Sequence, residues 1–369
     1  MTRALGTTHF SKVFAALVTI FSLSVPGGCA AGTKATALSS ITTPATSSTP
    51  PPASPTQVAG TTLGIAFNPV TNLFYVGNGP ANTVSVVDAT TQTVTNTIAV
   101  GANPTGVAVN PVTNTVYVTN FGSESLSVIN GATNAVTSTL TAIANEPSQV
   151  AVNPVTNKIY VLDNAGAQNV NVEVVDGATN RITSGLQVGG NASGVAVNTK
   201  TNTVYVTNED SLTVIDGTKN AIVITVPVPV PTTPTPGSLF GACSVAVNET
   251  TNTVYVSNGQ RFDPTTNTEI YTVSVINGLT NAIAATIPFS SAPGSIAVDP
   301  LTNLVYVATG TSSSGNSISV INGATNIVES GISFIGTAGE LAINTASNVI
   351  YMTDGQTVEV INGVTPSVP

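Results

Sequence analysis

The residues of this chain that could do acid–base chemistry are carboxylates, because imidazole is almost absent. The 369-residue sequence contains one histidine, His9, which lies in an N-terminal stretch with the features of an export signal. Beyond that stretch the sequence offers no imidazole base, no Ser–His–Asp triad and no histidine metal ligand. Catalysis would have to depend on carboxylates or lysine, and we assign no catalytic residue.

Four acidic residues follow predicted strands, where they would lie near the rim of a β-sheet: Asp163, Glu209, Asp210 and Asp354. Carboxylate oxygens are the ligands that Ca²⁺ prefers in proteins. The spacing of these four residues does not match an EF-hand loop. We therefore expect no cofactor and no metal ligand, with Ca²⁺ as the one alternative.

A second candidate site combines an arginine with aromatic side chains. Two long segments, Val226–Phe240 and Asn258–Tyr271, interrupt an otherwise regular pattern and are predicted to be loops on one face. Loops on a rigid scaffold often carry function, and Arg and aromatic residues are enriched at binding centres. The candidate binding residues are Phe240, Arg261, Phe262, Asp263 and Tyr271. The alternative is neutral variation in loop length.

The charge of the chain excludes two classes of partner. The formal net charge is −9, and only eight residues are Lys or Arg. Nucleic acids and anionic membrane surfaces attract proteins through basic patches, for which this sequence has too few cations. Of the two cysteines, Cys29 and Cys243, the first belongs to an export signal. We therefore expect no disulfide, with Cys243 buried as a small apolar residue.

The elements that position these residues come from a repeat. One tyrosine recurs at intervals between 42 and 51 residues: Tyr75, Tyr117, Tyr160, Tyr205, Tyr255, Tyr306 and Tyr351. This period is typical of a propeller blade of four short strands. The sequence predicts an all-β fold over residues 55–369, a seven-bladed β-propeller with four antiparallel strands in each blade. Each tyrosine is predicted to pack between neighbouring blades.

The second repeat shows the pattern of one blade. Its alternating and β-branched segments predict four strands: Gly106–Asn110, Thr115–Thr119, Ser125–Ile129 and Ala135–Leu140. Asn-rich turns separate the first two strands and the last two, and we expect Gly131 to supply a positive φ in the second turn. Asp88, Asp176 and Asp216 align with asparagines of other repeats, which predicts a turn-capping role and not a metal site.

The seventh repeat is short, because little sequence remains after its third strand. The segment Thr56–Gly60 resembles Leu186–Gly190, which ends a fourth strand elsewhere. We predict that the N-terminal segment supplies the missing outer strand of the last blade and closes the ring.

Residues 1–29 have the features of an export signal. Arg3 and Lys12 precede an apolar run, Val13–Val25, that is too short to cross a bilayer as a helix. Small residues before Cys29 resemble a lipoprotein cleavage site with Cys29 as the lipidated residue; ordinary cleavage after Ala30 is the alternative. Residues 30–54 are predicted to be a disordered Ala/Thr/Ser/Pro linker. The protein is expected in the cell envelope or on the cell surface, lipid-anchored or otherwise secreted.

The repeated tyrosine belongs to a recognisable motif. Tyr-Val-Thr-Asn occurs at residues 117–120 and 205–208, with close variants at 75–78 and 255–258. Over residues 55–363 this pattern resembles the YVTN β-propeller repeat family. The resemblance implies a seven-bladed propeller, often on archaeal or bacterial surfaces, but it implies little about activity. Lyase-like relatives depend on a histidine and quinoprotein-like relatives on tryptophan; the chain has no Trp.

These observations predict a non-catalytic, extracytoplasmic binding scaffold. Its partner is expected to be an envelope or extracellular protein or a glycan, and the membrane is reached only through a lipid on Cys29. We expect a monomer. The alternatives are a carboxylate-dependent lyase or hydrolase with a site at the channel mouth, and a structural component of the cell envelope.

Overall fold

The structure, a computed structural model, describes residues 56–58, 62–163, 171–208, 210–228, 242–263, 268–311, 315–334 and 338–364. These residues form seven antiparallel sheets of four strands each. The first strands of successive blades contact one another around a closed ring, so they surround an axial channel. The predicted all-β, seven-bladed propeller is confirmed. In these ranges no helix is long and apolar enough to cross a membrane.

In six blades the four strands run outward from the channel in chain order, and in the seventh blade only the inner three do. The first strands are β2 (Thr62–Asn68), β6 (Pro104–Asn110), β10 (Pro147–Asn153), β14 (Gly194–Asn198), β18 (Ala242–Asn248), β22 (Pro293–Asp299) and β26 (Leu341–Asn344). The second strands are β3 (Leu73–Asn78), β7 (Thr115–Asn120), β11 (Lys158–Asp163), β15 (Thr203–Asn208), β19 (Thr253–Asp263), β23 (Leu304–Thr311) and β27 (Val349–Asp354).

The outer half of each blade is built in the same way. The third strands are β4 (Thr83–Asp88), β8 (Ser125–Asn130), β12 (Val172–Asp176), β16 (Ser211–Asp216), β20 (Thr268–Asn277), β24 (Gly315–Asn322) and β28 (Thr357–Asn362). The fourth strands are β5 (Thr93–Ala99), β9 (Ala135–Thr141), β13 (Arg181–Leu186), β17 (Ala221–Pro227), β21 (Ala282–Phe289), β25 (Ile327–Phe334) and, for the seventh blade, β1 (Thr56–Gln57).

The ring closes as predicted. The N-terminal strand β1 pairs antiparallel with β28, with Thr56 opposite Val358. The Thr56 hydroxyl also donates to the backbone oxygen of Gln92 in the first blade, at 2.9 Å. At the same junction Tyr351 stacks on Phe74, with ring centroids 4.4 Å apart. The two ends of the chain therefore join the first and last blades.

The repeated tyrosines pack between blades, which confirms their predicted role. All seven are at most 1% exposed. Tyr75 lies in one cluster with residues of its own blade, such as Val86, and of the next blade, such as Val116. Its hydroxyl donates to Asn134 Oδ1 of that next blade at 2.8 Å. Each blade thus hides an apolar face on its neighbour, which no single blade could do alone.

The two faces of the ring are built from different connections. We call the loop face the one that carries the connections from second to third strands and from each blade to the next. We call the turn face the one that carries the tight turns between first and second strands and between third and fourth strands. Since strands alternate in direction, first strands begin at the loop face and end at the turn face.

The turn face is regular because asparagine adopts the positive φ of its turns and supplies side-chain hydrogen bonds between neighbouring blades. The last residue of every turn between first and second strands is an Asn with φ between 50° and 57°, which Asn tolerates better than most residues. Buried asparagines at the ends of first strands donate across the blade junctions at 2.7–2.8 Å, in the pairs Asn68–Asn114, Asn110–Asn157, Asn153–Asn202, Asn198–Asn252 and Asn248–Asn303.

One prediction about the turns, their capping by aspartate, is confirmed, and another, the positive φ of Gly131, is wrong. Asp88, Asp176 and Asp216 cap their turns; Asp88 Oδ1, for example, accepts the backbone N–H groups of Thr90 and Thr91 at 2.8 Å. The positive φ in the turn of the second blade lies at Asn134 and not at Gly131. The close approach of Asn114 favours glycine there, because a Cβ atom would lie 2.3 Å from Asn114 Oδ1; the first blade has Ala89 at the equivalent position.

Candidate functional site

One position on the first strands distinguishes two blades from the other five. It directly precedes the buried aliphatic residue of each first strand, and its occupants are Gly64, Gly106, Gln149, Gly194, Ser244, Ser295 and Glu340. Five blades therefore carry no side chain or a short hydroxyl here. Only the third and seventh blades carry long polar side chains.

The small residues at this position serve the contact between neighbouring blades. The Ser244 hydroxyl accepts the backbone N–H of Ile296 at 3.4 Å, and the Ser295 hydroxyl accepts that of Leu341 at 3.1 Å. A Cβ atom on Gly64 would lie 2.4 Å from the backbone oxygen of Thr105. These positions belong to the channel wall and leave little for a ligand to bind.

Gln149 and Glu340 instead reach each other. The Gln149 side-chain amide donates from Nε2 to Glu340 Oε1 at 2.5 Å. Their blades are three apart in the ring, as far as seven blades allow, so the contact spans the channel near its loop-face end. We call this end the channel mouth. Glu340 keeps some exposure to the channel, yet protein surrounds it, and the resulting desolvation raises its pKa to about 6.

Among the described side chains, no charged neighbour of Glu340 explains its position. The first strands, together with Glu340, contain two acidic residues, Glu340 and Asp299, and no basic residue. Asp299 ends β22 and therefore lies at the turn face, where its oxygens accept Leu301 N–H and the Thr302 hydroxyl. Within the described channel wall, the channel mouth thus has one carboxylate.

The same two blades carry pairs of buried or half-buried acids between their second and third strands. In four other blades an amide meets a hydroxyl at this place; Asn258 Nδ2, for example, donates to Ser274 Oγ at 2.9 Å. The third blade has Asp163 and Glu173 instead, and the seventh has Asp354 and Glu359. Burial, and secondarily the neighbouring aspartate, raises the pKa of both Glu173 and Glu359.

Asp163 positions the approach to β10. Its two oxygens accept the backbone N–H groups of Asn145 and Glu146 at 3.1 and 3.2 Å. These residues belong to the connection that leads into β10, which carries Gln149. The acid pair of the third blade therefore holds the strand that presents one half of the channel-spanning contact.

Charge is divided between the two faces. Nine acidic residues with described side chains lie at the loop-face ends of strands or in loop-face connections: Glu124, Glu146, Asp163, Glu173, Asp210, Glu269, Glu340, Asp354 and Glu359. The four basic residues with described side chains all lie at the turn face: Lys158, Arg181, Lys200 and Lys219. Lys158, for example, donates to Asn220 Oδ1 in a turn of the next blade. Every charged side chain that the structure describes on the loop face is therefore acidic.

The predicted binding residues of the fifth blade lie on this loop face, but not in a loop. Strands β19 and β20 extend beyond the other blades, and Arg261 pairs with Ile270 and Asp263 with Thr268. The prediction that 258–271 is a loop is wrong for these residues, because the segment continues the strand pairing past a bulge. The Tyr271 hydroxyl donates to the Glu269 carboxylate, and burial, followed by this contact and its charge, raises the pKa of Tyr271.

Several predicted site residues fall outside what the structure describes. Phe240, Glu209 and Cys29 lie outside the described residues, as do residues 1–55 with the predicted signal and linker. The backbone is described at Cys243, Arg261, Phe262 and Asp263, but their side chains are not. Of the four predicted calcium ligands, Asp163, Asp210 and Asp354 are described. No described group of three or more His, Cys, Asp or Glu side chains is placed to hold a metal ion.

The comparisons with known proteins concern the fold and the family. No curated protein has a sequence that matches this chain. Among solved structures, the hydrazine synthase of Kuenenia stuttgartiensis superimposes with a TM-score of 0.72 at 16% identity, covering 84% of this chain and 97% of that one. At this identity the similarity concerns the propeller fold alone.

The family model described as a YNCE-like beta-propeller matches residues 43–243. The match covers more than half of the chain, including the first four tyrosine repeats, and it agrees with the YVTN-type pattern and with the seven blades. This chain belongs to the YNCE-like β-propeller family.

Proposed function

We propose that the protein is a non-catalytic binding scaffold on the outside of the cell and that the loop face is its recognition surface. Export rests on the signal-like residues 1–29, and attachment to a membrane would rest on a lipid at Cys29. The partner is an envelope or extracellular protein, or a glycan, that carries positive charge. The protein acts as a monomer.

The separation of charge between the two faces carries this proposal. Opposite charges that neutralise each other stabilise a fold, as in the contact between Lys219 and Asp216, whose atoms lie 3.3 Å apart on the turn face. On the loop face, by contrast, all nine charged side chains that the structure describes are acidic, and the one basic residue whose described backbone lies there, Arg261, is on the extension of the fifth blade. Such a surface attracts cationic partners and accelerates their association, at a cost in self-repulsion. A role in recognition accounts for that cost.

The extension of the fifth blade would form part of the same surface. Its strands end beyond those of neighbouring blades, and the predicted residues Arg261, Phe262 and Asp263 lie on it. Tyr271 is at its base. With Phe240 in the preceding connection, these residues would give an aromatic contact beside the acidic area.

The alternatives have no observation of their own in their favour. A carboxylate-dependent lyase or hydrolase at the channel mouth needs an acid and a base, and the described wall there offers Glu340 alone. A structural component of the envelope would need no charge separation. Calcium binding remains a prediction, which a calcium-dependent shift of Tm would support.

The proposal is tested by removing equal charge from each face. One variant carries Glu124→Gln, Glu146→Gln and Glu269→Gln on the loop face. Its matched control carries Asp88→Asn, Asp176→Asn and Asp216→Asn on the turn face, where asparagine already occupies the equivalent positions of other blades. Binding of immobilised protein to poly-L-lysine and to chitohexaose is measured, with poly-L-glutamate and N-acetylated chitohexaose as reference probes.

The loop-face variant should bind at least one cationic probe about tenfold more weakly than the native protein, whereas the turn-face variant should bind as the native protein does. Equal losses in the two variants, or no preference for cationic over reference probes, would refute the loop face as the recognition surface. Glycan-only or peptide-only binding would identify the class of partner.

A further inference from the structure

The contact between Gln149 and Glu340 leaves one further acceptor atom on each of the two side chains at the channel mouth. Gln149 Nε2 and Glu340 Oε1 bind each other. Gln149 Oε1 and Glu340 Oε2 then remain, and no hydrogen bond from any described residue reaches either of them. An amide oxygen and a carboxylate oxygen can only accept, so both atoms require donors that the described wall does not provide.

No cation with a described side chain lies beside the carboxylate of Glu340. Desolvation raises the pKa of Glu340 to about 6, so the group is mostly ionised at neutral pH although protein surrounds it. A buried carboxylate is usually paired with a cation or metal. The described cations all lie at the opposite face, and the other acids of the loop face increase the local concentration of cations at the channel mouth.

Resting on the proposed function, we infer that the channel mouth holds a primary ammonium group, with Glu340 Oε2 and Gln149 Oε1 as its acceptors. The ammonium belongs either to a lysine side chain of a protein partner or to an amino sugar of a glycan. It enters from the loop face and binds on the open side of the channel-spanning contact.

The geometry favours ammonium over other cations. A guanidinium binds best to both oxygens of one carboxylate, but Gln149 already occupies Glu340 Oε1. A divalent cation needs several oxygen ligands, and the described residues offer no group of three acidic, His or Cys side chains for it. An ammonium is compact, has three donors, and can be satisfied by two protein acceptors and water.

Calorimetric titration of the full chain at pH 7.5 tests the inference. The probes are an acetylated Gly-Lys-Gly peptide and chitotriose, each paired with the same molecule acetylated on its amines. We expect one or both amines to bind and their acetylated forms not to bind. A peptide-only or sugar-only result identifies the source of the ammonium.

Four variants locate the site. Glu340→Gln should weaken amine binding about tenfold, the contribution of one charge-assisted hydrogen bond. Gln149→Gly introduces the residue that three other blades have at this position, and it should weaken amine binding about threefold. This variant still tests the site if Glu340→Gln does not fold. Glu124→Gln, a loop-face charge in a connection, should weaken it at most about twofold. Asp176→Asn on the turn face should leave binding unchanged.

The pH dependence gives an independent readout. An ammonium ligand favours ionised Glu340, so binding near pH 6 should release protons and should weaken as the pH falls below 6. Proton release is measured by titration in buffers of different ionisation enthalpy, and it should be absent in Glu340→Gln.

Two results would overturn the inference: unchanged amine affinity in both Glu340→Gln and Gln149→Gly, or equal binding of amines and their acetylated forms. If the polycations still depend on loop-face charge while Glu340→Gln has no effect, only this inference fails. If the loop-face charges have no effect either, the proposed function fails as well.

Discussion

The turn face and the loop face of this propeller are made by the same repeat but are under different constraints. On the turn face, five blade junctions carry the same Asn–Asn hydrogen bond. Three lysines there contact oxygens of turns: Lys219 pairs with Asp216, Lys158 donates to the backbone oxygen of Gly217, and Lys200 donates to the Thr250 hydroxyl. On the loop face, the connections differ in length and all nine described charges are negative.

The difference separates stability from recognition. Hydrogen-bonded asparagine amides stabilise the ring and recur at five blade junctions. The acids of the loop face are spread over five blades and do not occupy one repeated position. The channel-spanning pair joins two blades, and the extended hairpin occurs in one. Such departures from a repeat are where function is expected.

The largest expected effect comes from opening the ring. Deletion of Pro55–Gly60 removes β1, exposes the edge of β28 and breaks the hydrogen bond from Thr56 to Gln92. We expect a loss of about 5 kcal/mol and a decrease in Tm of roughly 10 °C, measured by differential scanning calorimetry.

Deletion of six linker residues, 40–45, is the control and should leave Tm unchanged. A melting curve that the loss of Pro55–Gly60 does not alter would show that β1 does not close the ring.

The next largest effect should come from the turn face. Asn153→Ala removes the 2.8 Å hydrogen bond to Asn202 and the contacts from Asn153 Oδ1 to the N–H groups of Val155 and Thr156. Since these groups are buried or partly buried, we expect a loss of about 3 kcal/mol in urea unfolding. Glu124→Ala on the loop face should change stability by less than about 0.5 kcal/mol. Similar losses in both variants would contradict the assignment of stability to the turn face.

Ionisation of Glu340 should lower the free energy of unfolding at high pH. Its folded pKa, about 6, lies above its ordinary value of 4.5, so its contribution to stability is full below pH 4.5 and is lost as the pH rises through 6. The loss approaches about 2 kcal/mol. Glu340→Gln has no proton to lose, so it should exceed the native protein in stability at pH 8 by up to that amount and equal it at pH 4. Urea unfolding at the two pH values decides this, and a difference that is independent of pH would refute it.

The smallest effect should be a gain at the sixth blade. Asp299 occupies the position of the bridging asparagines but cannot donate, so the row of Asn–Asn hydrogen bonds stops there. Asp299→Asn should donate to Asn348 Oδ1 of the next blade and raise the stability by about 1 kcal/mol. A decrease in Tm would show that the Thr302 contact with Asp299 matters more than the missing link.

Most of the fold could be predicted because the repeat is local. The recurring tyrosine gave the number of blades, alternation gave the strands, and the short last repeat indicated the closing role of Thr56. The errors arose where local patterns were ambiguous. A glycine in a turn indicated a positive φ at Gly131, but the structural reason for this glycine is the close approach of Asn114. Arg261 was assigned to a loop, although its segment continues the ladder of β19 and β20.

The candidate site was less predictable because its central contact joins residues 191 positions apart. No local pattern indicates that Gln149 meets Glu340. The sequence did contain a signal: these two residues replace Gly or Ser at one aligned position of the repeat. Assigning each charge to a face, through its place in the repeat, would also have shown the acidic loop face.

The most direct test of the account is hydrogen–deuterium exchange of the full chain with and without poly-L-lysine. If the loop face is the recognition surface, the ligand should protect amides in residues 121–124, 141–149 and 338–341, and leave residues 111–114, 154–157 and 199–202 of the turn face unchanged. Protection of the turn-face segments, or equal protection of both faces, would contradict it.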